Sequence, residues 1–121
     1  MIYLLRKVSN FCIKFVLGGM GYNVDVGIVE INEKVNGKYT QKQIEVDFVC
    51  NQGSKRYYIQ SAYALPTENK TNQELKPLLN VNDFFKKIII VREDIKPYSN
   101  EQGITIMGIR YFLLNNNSLE M

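Results

Sequence analysis

The chain has 121 residues, 45% of them hydrophobic and 22% charged, with a formal net charge of +3. That length fits one domain, the apolar content can build a core, and the charge alone is too small to argue for a nucleic-acid partner. Histidine is absent, which excludes His-based acid–base catalysis, Ser-His-Asp and Cys-His nucleophiles and His-ligated zinc.

The first stretch, MIYLLRKVSNFCIKFVLGGM, is apolar but interrupted by Arg6, Lys7, Ser9, Asn10 and Lys14. No run approaches the ~18 apolar residues of a membrane span. Lys14 also splits what would be the apolar block of a signal peptide. The pattern predicts a helix over residues 2–17, closed by GGMGY. Its apolar residues, among them Leu4, Leu5, Val8, Cys12, Phe15 and Val16, lie almost all round, so cover on more than one side is expected. Cys12 and Cys50 lack CxxC spacing and read as a reduced pair in a cytoplasmic chain.

Val24, Val26, Ile28 and, less regularly, Ile31 alternate with polar residues and predict a first strand. Asn36-Gly37 marks a hairpin, because a type I′ turn needs positive φ at both central positions. In the second strand, QIEVDFVC, strict alternation puts Ile44, Val46 and Phe48 on one face and Glu45, Asp47 and Val49 on the other. A turn at about Gln52-Gly53 leads to the third strand, RYYIQSAYAL, with Tyr57, Ile59, Ser61 and Tyr63 opposite Tyr58, Gln60 and Ala62. A short helix is expected to start near Thr71 or Asn72, with Pro77 awkwardly inside. Ile88 to Val91 are four consecutive β-branched residues and predict a strand buried on both faces. IKPYSNEQG reads as a loop, ITIMGI as a last strand and RYFLLNNN as a helical turn. The order α-β-β-β-α-β-β implies an α/β fold with a central mixed sheet flanked by helices.

Candidate chemistry concentrates in the second hairpin. Asp47 and Gln60 fall on neighbouring strands and are expected to converge, offering two oxygens to a hard cation such as Mg²⁺. The bland reading of Asp47 is an edge-strand acid facing solvent or paired with a lysine; that of Gln60 is a hydrogen-bonded, half-buried amide. Lys55, Arg56, Lys86 and Lys87 are candidate phosphate contacts or a solvated face. Tyr57, Tyr58 and Tyr63 are candidate base-stacking groups or cross-strand packing pairs.

GYNVDVGIVEI, EVDFVCNQGSKRYYIQSAYAL and ITIMGIRYFLLN resemble the C-terminal domain of a family of prokaryotic AAA-type ATPases, a domain similar to the PD-(D/E)XK, restriction-endonuclease-like nucleases. The resemblance spans about residue 21 to the C-terminus. It implies one domain at 21–121, joined by the N-terminal helix of residues 1–20, which departs from the acidic amphipathic helix of that family. It places the first nuclease acid at Asp47, the second acid at Gln60, the lysine at Ala62 and a helical glutamate at Val16, so only Asp47 keeps its chemistry. It also implies a P-loop ATPase domain upstream in full-length relatives; this chain has no GxxxxGK[ST].

The expected function is therefore a non-catalytic, nuclease-like domain that engages nucleic acid or a protein partner, with no cofactor. A divergent Mg²⁺-dependent nuclease using Asp47 and Gln60 is the second expectation. A self-associating module, pairing as a homodimer through sheet edge and apolar helix, is the third. No membrane association is expected.

Overall fold

A computed structural model describes residues 2–62, 68–115 and 117–120, with side chains placed for 10–62, 73–115 and 117–120. Helix α1 (Ile2–Gly19) leads into strands β1 (Asn23–Val35), β2 (Lys38–Gln52) and β3 (Lys55–Ala62). Helix α2 (Glu68–Leu79) crosses to β4 (Lys86–Val91); β5 (Tyr98–Ser99), β6 (Thr105–Gly108), α3 (Ile109–Leu114) and a 3₁₀ turn (Ser118–Glu120) follow. The six strands form one sheet in the order β1-β2-β3-β4-β6-β5. β3, β4 and β6 run parallel, and the other neighbours pair antiparallel. Among the described residues no helix is long and apolar enough to cross a membrane.

The centre of the sheet follows from the run Ile88–Val91. All four residues are buried, and strand alternation sends them to opposite faces. Ile88 and Ile90 join Ile13 and Leu17 of α1, Phe48, Ile59, Phe112 of α3 and Leu119 in one core. Ile89 and Val91 join Leu75 and Leu78 of α2 with Val46, Tyr58 and Ala62 in the other. Each buried Ile or Leu contributes about 1.5–3 kcal/mol relative to exposure, so the two cores together hold both helix layers on the sheet.

The first hairpin forms as expected: Asn36 and Gly37 have φ of 53° and 81°, and Val35 pairs with Lys38. The second turn sits one residue later than expected, at Gly53-Ser54, because Gln52 pairs with Lys55. The largest correction concerns β2. Between Asp25 and Gly27 the register advances two residues on β1, while from Val49 to Val46 it advances three on β2. The extra residue is a bulge at Asp47-Phe48, and it shifts the alternation. Phe48 and Cys50 therefore face α1 while Val46 faces α2, so Ile44, Val46 and Phe48 do not share a face.

Other expectations are corrected by the packing. Over residues 10–19, α1 is covered on one side: Ile13 and Leu17 are buried, whereas Phe11 and Phe15 are exposed. Val24 packs on the α1 core, but Val26 and Ile28 on the same strand are exposed. α2 begins at Glu68 rather than near Thr71, and it keeps Pro77 in its last turn, at the cost of the i→i−4 hydrogen bond that residue 77 would otherwise donate. Asn80 Nδ2 donates to Lys76 O at 2.8 Å and closes that end. The segment read as a loop after β4 contains β5, which pairs with β6 through Tyr98↔Ile106 and Ser99↔Thr105.

Gly108 ends β6 where the chain after β4 folds back across it. Its N–H donates to Ile95 O at 3.2 Å, and a Cβ there would lie 2.3 Å from Glu93 O and 2.9 Å from Ile95 N. These are backbone atoms with nowhere to yield, so Gly108→Ala lowers stability by about 3 kcal/mol, read as a shift in urea midpoint at constant slope. The cysteines provide a second test: Cys12 is exposed and Cys50 buried, and burial pushes the Cys50 thiol up to about 12. Iodoacetamide at mildly alkaline pH is expected to add one label to the native chain and two in denaturant, counted by mass spectrometry.

Candidate functional site

The β2–β3 ladder runs from Gln52↔Lys55 only as far as Phe48↔Ile59. β3 continues to Ala62 alongside β4, but β2, with its bulge, turns away together with β1. The strands thus fork at Asp47. Past that point β1 and β2 form a two-stranded ribbon whose Glu33 meets Lys76 of α2 at 2.7 Å.

A fork strips backbone N–H groups of their ladder partners, and a buried donor without a partner costs about 1–3 kcal/mol. Side chains replace the ladder here. The Asp47 N–H donates to Gln60 Oε1 at 2.9 Å, and the Ser61 N–H donates to Asp47 Oδ2 at 2.9 Å. Each strand lends one side-chain oxygen to the other strand's backbone. Gln60 and Ser61 are buried, and Asp47 is half-buried. The two candidate residues are therefore neighbours, with a backbone proton directed at one side-chain oxygen of each.

The remaining nuclease positions divide between the faces of the sheet. Ala62 packs in the α2-side core, and Gln60 shares that face by alternation. Val16 packs against the α1-side core, across the sheet. Glu45 is exposed on the ribbon. Among the described residues no three His, Cys, Asp or Glu side chains gather as a metal-holding group. A hard cation prefers several oxygens with more than one negative charge. The pair Asp47 and Gln60 offers one charge, and both side chains already accept backbone N–H groups, so this donor set does not fit Mg²⁺.

The four candidate phosphate contacts cluster at the start of β3 and β4, the opposite end from the fork. Tyr57 pairs with Lys86 and Tyr58 with Lys87, so the cations divide between the faces. On one face Lys55 meets Glu120 at 2.7 Å, and Lys86 Nζ donates to Leu119 O at 2.8 Å. The Lys55 hydrogen bond holds the Glu120 carboxyl below its usual range, while burial lowers the Lys86 ammonium. On the other face Arg56 Nε donates to Asn51 Oδ1 at 2.7 Å and its guanidinium lies 5.6 Å from the Phe85 ring centroid. Lys87 Nζ donates to Asp83 O at 2.9 Å and lies 5.8 Å from the centroid of Tyr58. The Tyr58 hydroxyl donates to the Asp83 carboxylate, and burial, then Asp83, pushes the phenol up.

Both tyrosines are buried in packing. Tyr57 stacks edge-on with Tyr22 at 5.8 Å; Tyr63 lies outside the described residues. The partners Asp83, Phe85, Leu119 and Glu120 were not legible as a set, since nothing in their spacing ties them to strand starts elsewhere in the chain. Below the fork on the α2 side, an open groove of about 310 Å³ is lined by Val46, Tyr58 and residues of β1 and the α2–β4 connection. Neither Asp47 nor Gln60 lines it.

No protein-family model, curated protein or solved structure matches the chain.

This reciprocal bonding of Asp47 and Gln60, a clasp between the strands, predicts an asymmetry between its members and the exposed ribbon. Gln60→Leu removes the acceptor of the Asp47 N–H and is expected to cost about 1–3 kcal/mol. Glu45→Gln, on the exposed ribbon, is expected to stay within about 0.5 kcal/mol of wild type. Equilibrium urea unfolding monitored by tyrosine fluorescence measures both.

Proposed function

We propose that this is a non-catalytic, restriction-endonuclease-like domain of the AAA-type ATPase family it resembles, acting in protein or nucleic-acid interaction. The single observation that carries the reading is the reciprocal bonding of Asp47 and Gln60 across the fork. In that reading, positions that would serve a metal now hold two strands together. The placement of Val16 on the opposite face of the sheet from Gln60 and Ala62 supports it as well. So does the mixed sheet with helices on both faces.

The interaction half of the proposal draws on groups outside the clasp. Exposed Arg56 and half-buried Lys87 lie against Tyr58, which lines the groove, and Phe11 and Phe15 are uncovered on α1. Each cation has a local acceptor, so a phosphate would have to displace one, which favours a weak or protein-directed contact over tight nucleic-acid binding. An ATPase domain upstream in relatives would supply the motor that such a module serves.

Incubation with single- and double-stranded DNA and RNA in Mg²⁺ or Mn²⁺ is the direct test. No cleavage is expected, and Asp47→Ala is expected to lower the thermal midpoint while leaving the absence of activity unchanged. Metal-dependent cleavage that Asp47→Ala abolishes, in a variant that remains folded by circular dichroism, would overturn the proposal and establish the divergent nuclease instead.

A further inference from the structure

β1 is an edge of the sheet and runs for 13 residues. Its inner side is satisfied by β2. In a two-residue hairpin the residues flanking the turn, here Val35 and Lys38, exchange backbone bonds. Alternation then directs the N–H and C=O groups of Lys34, Asn32, Glu30, Ile28 and Val26 to the open edge. Proteins blunt such edges with short strands, proline, or charges at their centre. The segment Val26-Gly27-Ile28-Val29 has neither charge nor proline. Val26 and Ile28 are also 60% and 63% exposed, unusually high for β-branched residues inside a strand.

We propose that the β1 edge is a homodimer interface: two copies pair their β1 strands antiparallel about a two-fold axis at Gly27, joining two sheets into one. This rests on the reading of the domain as an interaction module and names its partner as a second copy of the chain. The choice of partner comes from the strand's self-complementarity. With the axis at Gly27, Val26 stands opposite Ile28 of the partner subunit, and Ile28 opposite Val26 of the partner subunit. Asp25 meets Val29 of the partner subunit, and Glu30 meets Val24 of the partner subunit, so no like charges are opposed. Moving the axis to Val29 would set Asp25 against Glu33 of the partner subunit; moving it to Glu30 would set that carboxylate against its own copy. Both carry a like-charge cost.

The backbone agrees with this register. Gly27 directs its own bonds to β2, so the axis falls between non-bonded residues, where Cα atoms approach to about 4.5 Å. A residue without a side chain suits that closest point. Val26 and Ile28 then supply the outward N–H and C=O groups on either side. A two-fold axis normal to the sheet keeps the α1 layers of both copies on one face. Phe11 and Phe15, exposed on α1, then belong to the layer that the pairing extends.

Sedimentation velocity at tens of micromolar tests this with the full chain. The wild type is expected to sediment as a dimer. Ile28→Pro removes an outward N–H and spares the hairpin's own ladder, and the double variant Val26→Lys, Ile28→Lys places like charges across the axis. Both are expected to lose the dimer and keep wild-type circular dichroism. A monomeric wild type overturns the proposal, and so does a dimer that persists in both variants. In a Cys12→Ser background, mild oxidation should cross-link a mixture of Val26→Cys and Ile28→Cys chains. Cross-linking of Val26→Cys alone, without the mixed product, moves the axis and overturns the register. A monomer that cleaves nothing leaves the interaction reading in place, whereas metal-dependent cleavage removes that reading at any oligomeric state.

Discussion

Two backbone donors at the fork between β2 and β3 need acceptors, and Asp47 and Gln60 provide them. The rest of the architecture depends on that exchange. The bulge at Asp47-Phe48 gives β2 one residue more than β1, and an extra residue cannot be absorbed while both neighbouring ladders stay intact. β2 keeps its pairing with β1 and gives up its pairing with β3. The ribbon can then bend toward α2, where Lys76 and Glu33 meet, and a groove opens beneath it. Phe48 is turned toward one core and Val46 toward the other, so a single inserted position supplies both helix layers with a buried side chain.

The charged end of the sheet follows a different logic. Lys55, Arg56, Lys86 and Lys87 start two parallel strands whose cores are apolar on both faces. Their stems can lie along that apolar surface while their charged heads reach out to acceptors. The 3₁₀ turn supplies Leu119 O and Glu120 on one side; the α2–β4 connection supplies Asp83 and Phe85 O on the other. The fork and the charged end are thus separate devices at opposite ends of β3. One substitutes for lost strand pairing, and the other finishes strands whose ends would otherwise leave unbalanced charge beside the core.

Much of the fold was readable because its signals are local. Asn36-Gly37 needs no tertiary help to specify a two-residue turn, and four β-branched residues at Ile88–Val91 have few places to go but the centre of a sheet. Alternation read the faces of β3 correctly over the described residues for the same reason. It failed in β2 because a bulge has no composition of its own: IEVDFVC alternates well enough to hide the extra residue, and only pairing with β1 reveals it. The start of α2 differs from the expected one because Thr71 is a good capping residue by type, yet local propensity is a weak guide to where a helix begins. The candidate site was half legible. The proximity of Asp47 and Gln60 follows from hairpin geometry, but their bonds to the backbone depend on the fork, and the fork depends on the bulge.

The same run that centres the sheet also shapes how this chain must fail. Ile88-Ile89-Ile90-Val91 has high β propensity, no charge and no proline, the composition from which cross-β assemblies are built. It is shielded on one face by α1 and α3 and on the other by α2. Any partly unfolded form that sheds α2 would offer a dry, sticky ribbon to its neighbours. The lysines at 86 and 87 and the arginine at 92 stand on either flank, where charge repels a second copy of the same strand. Beyond any contact with a ligand, these cations act as gatekeepers for the most hazardous segment of the chain.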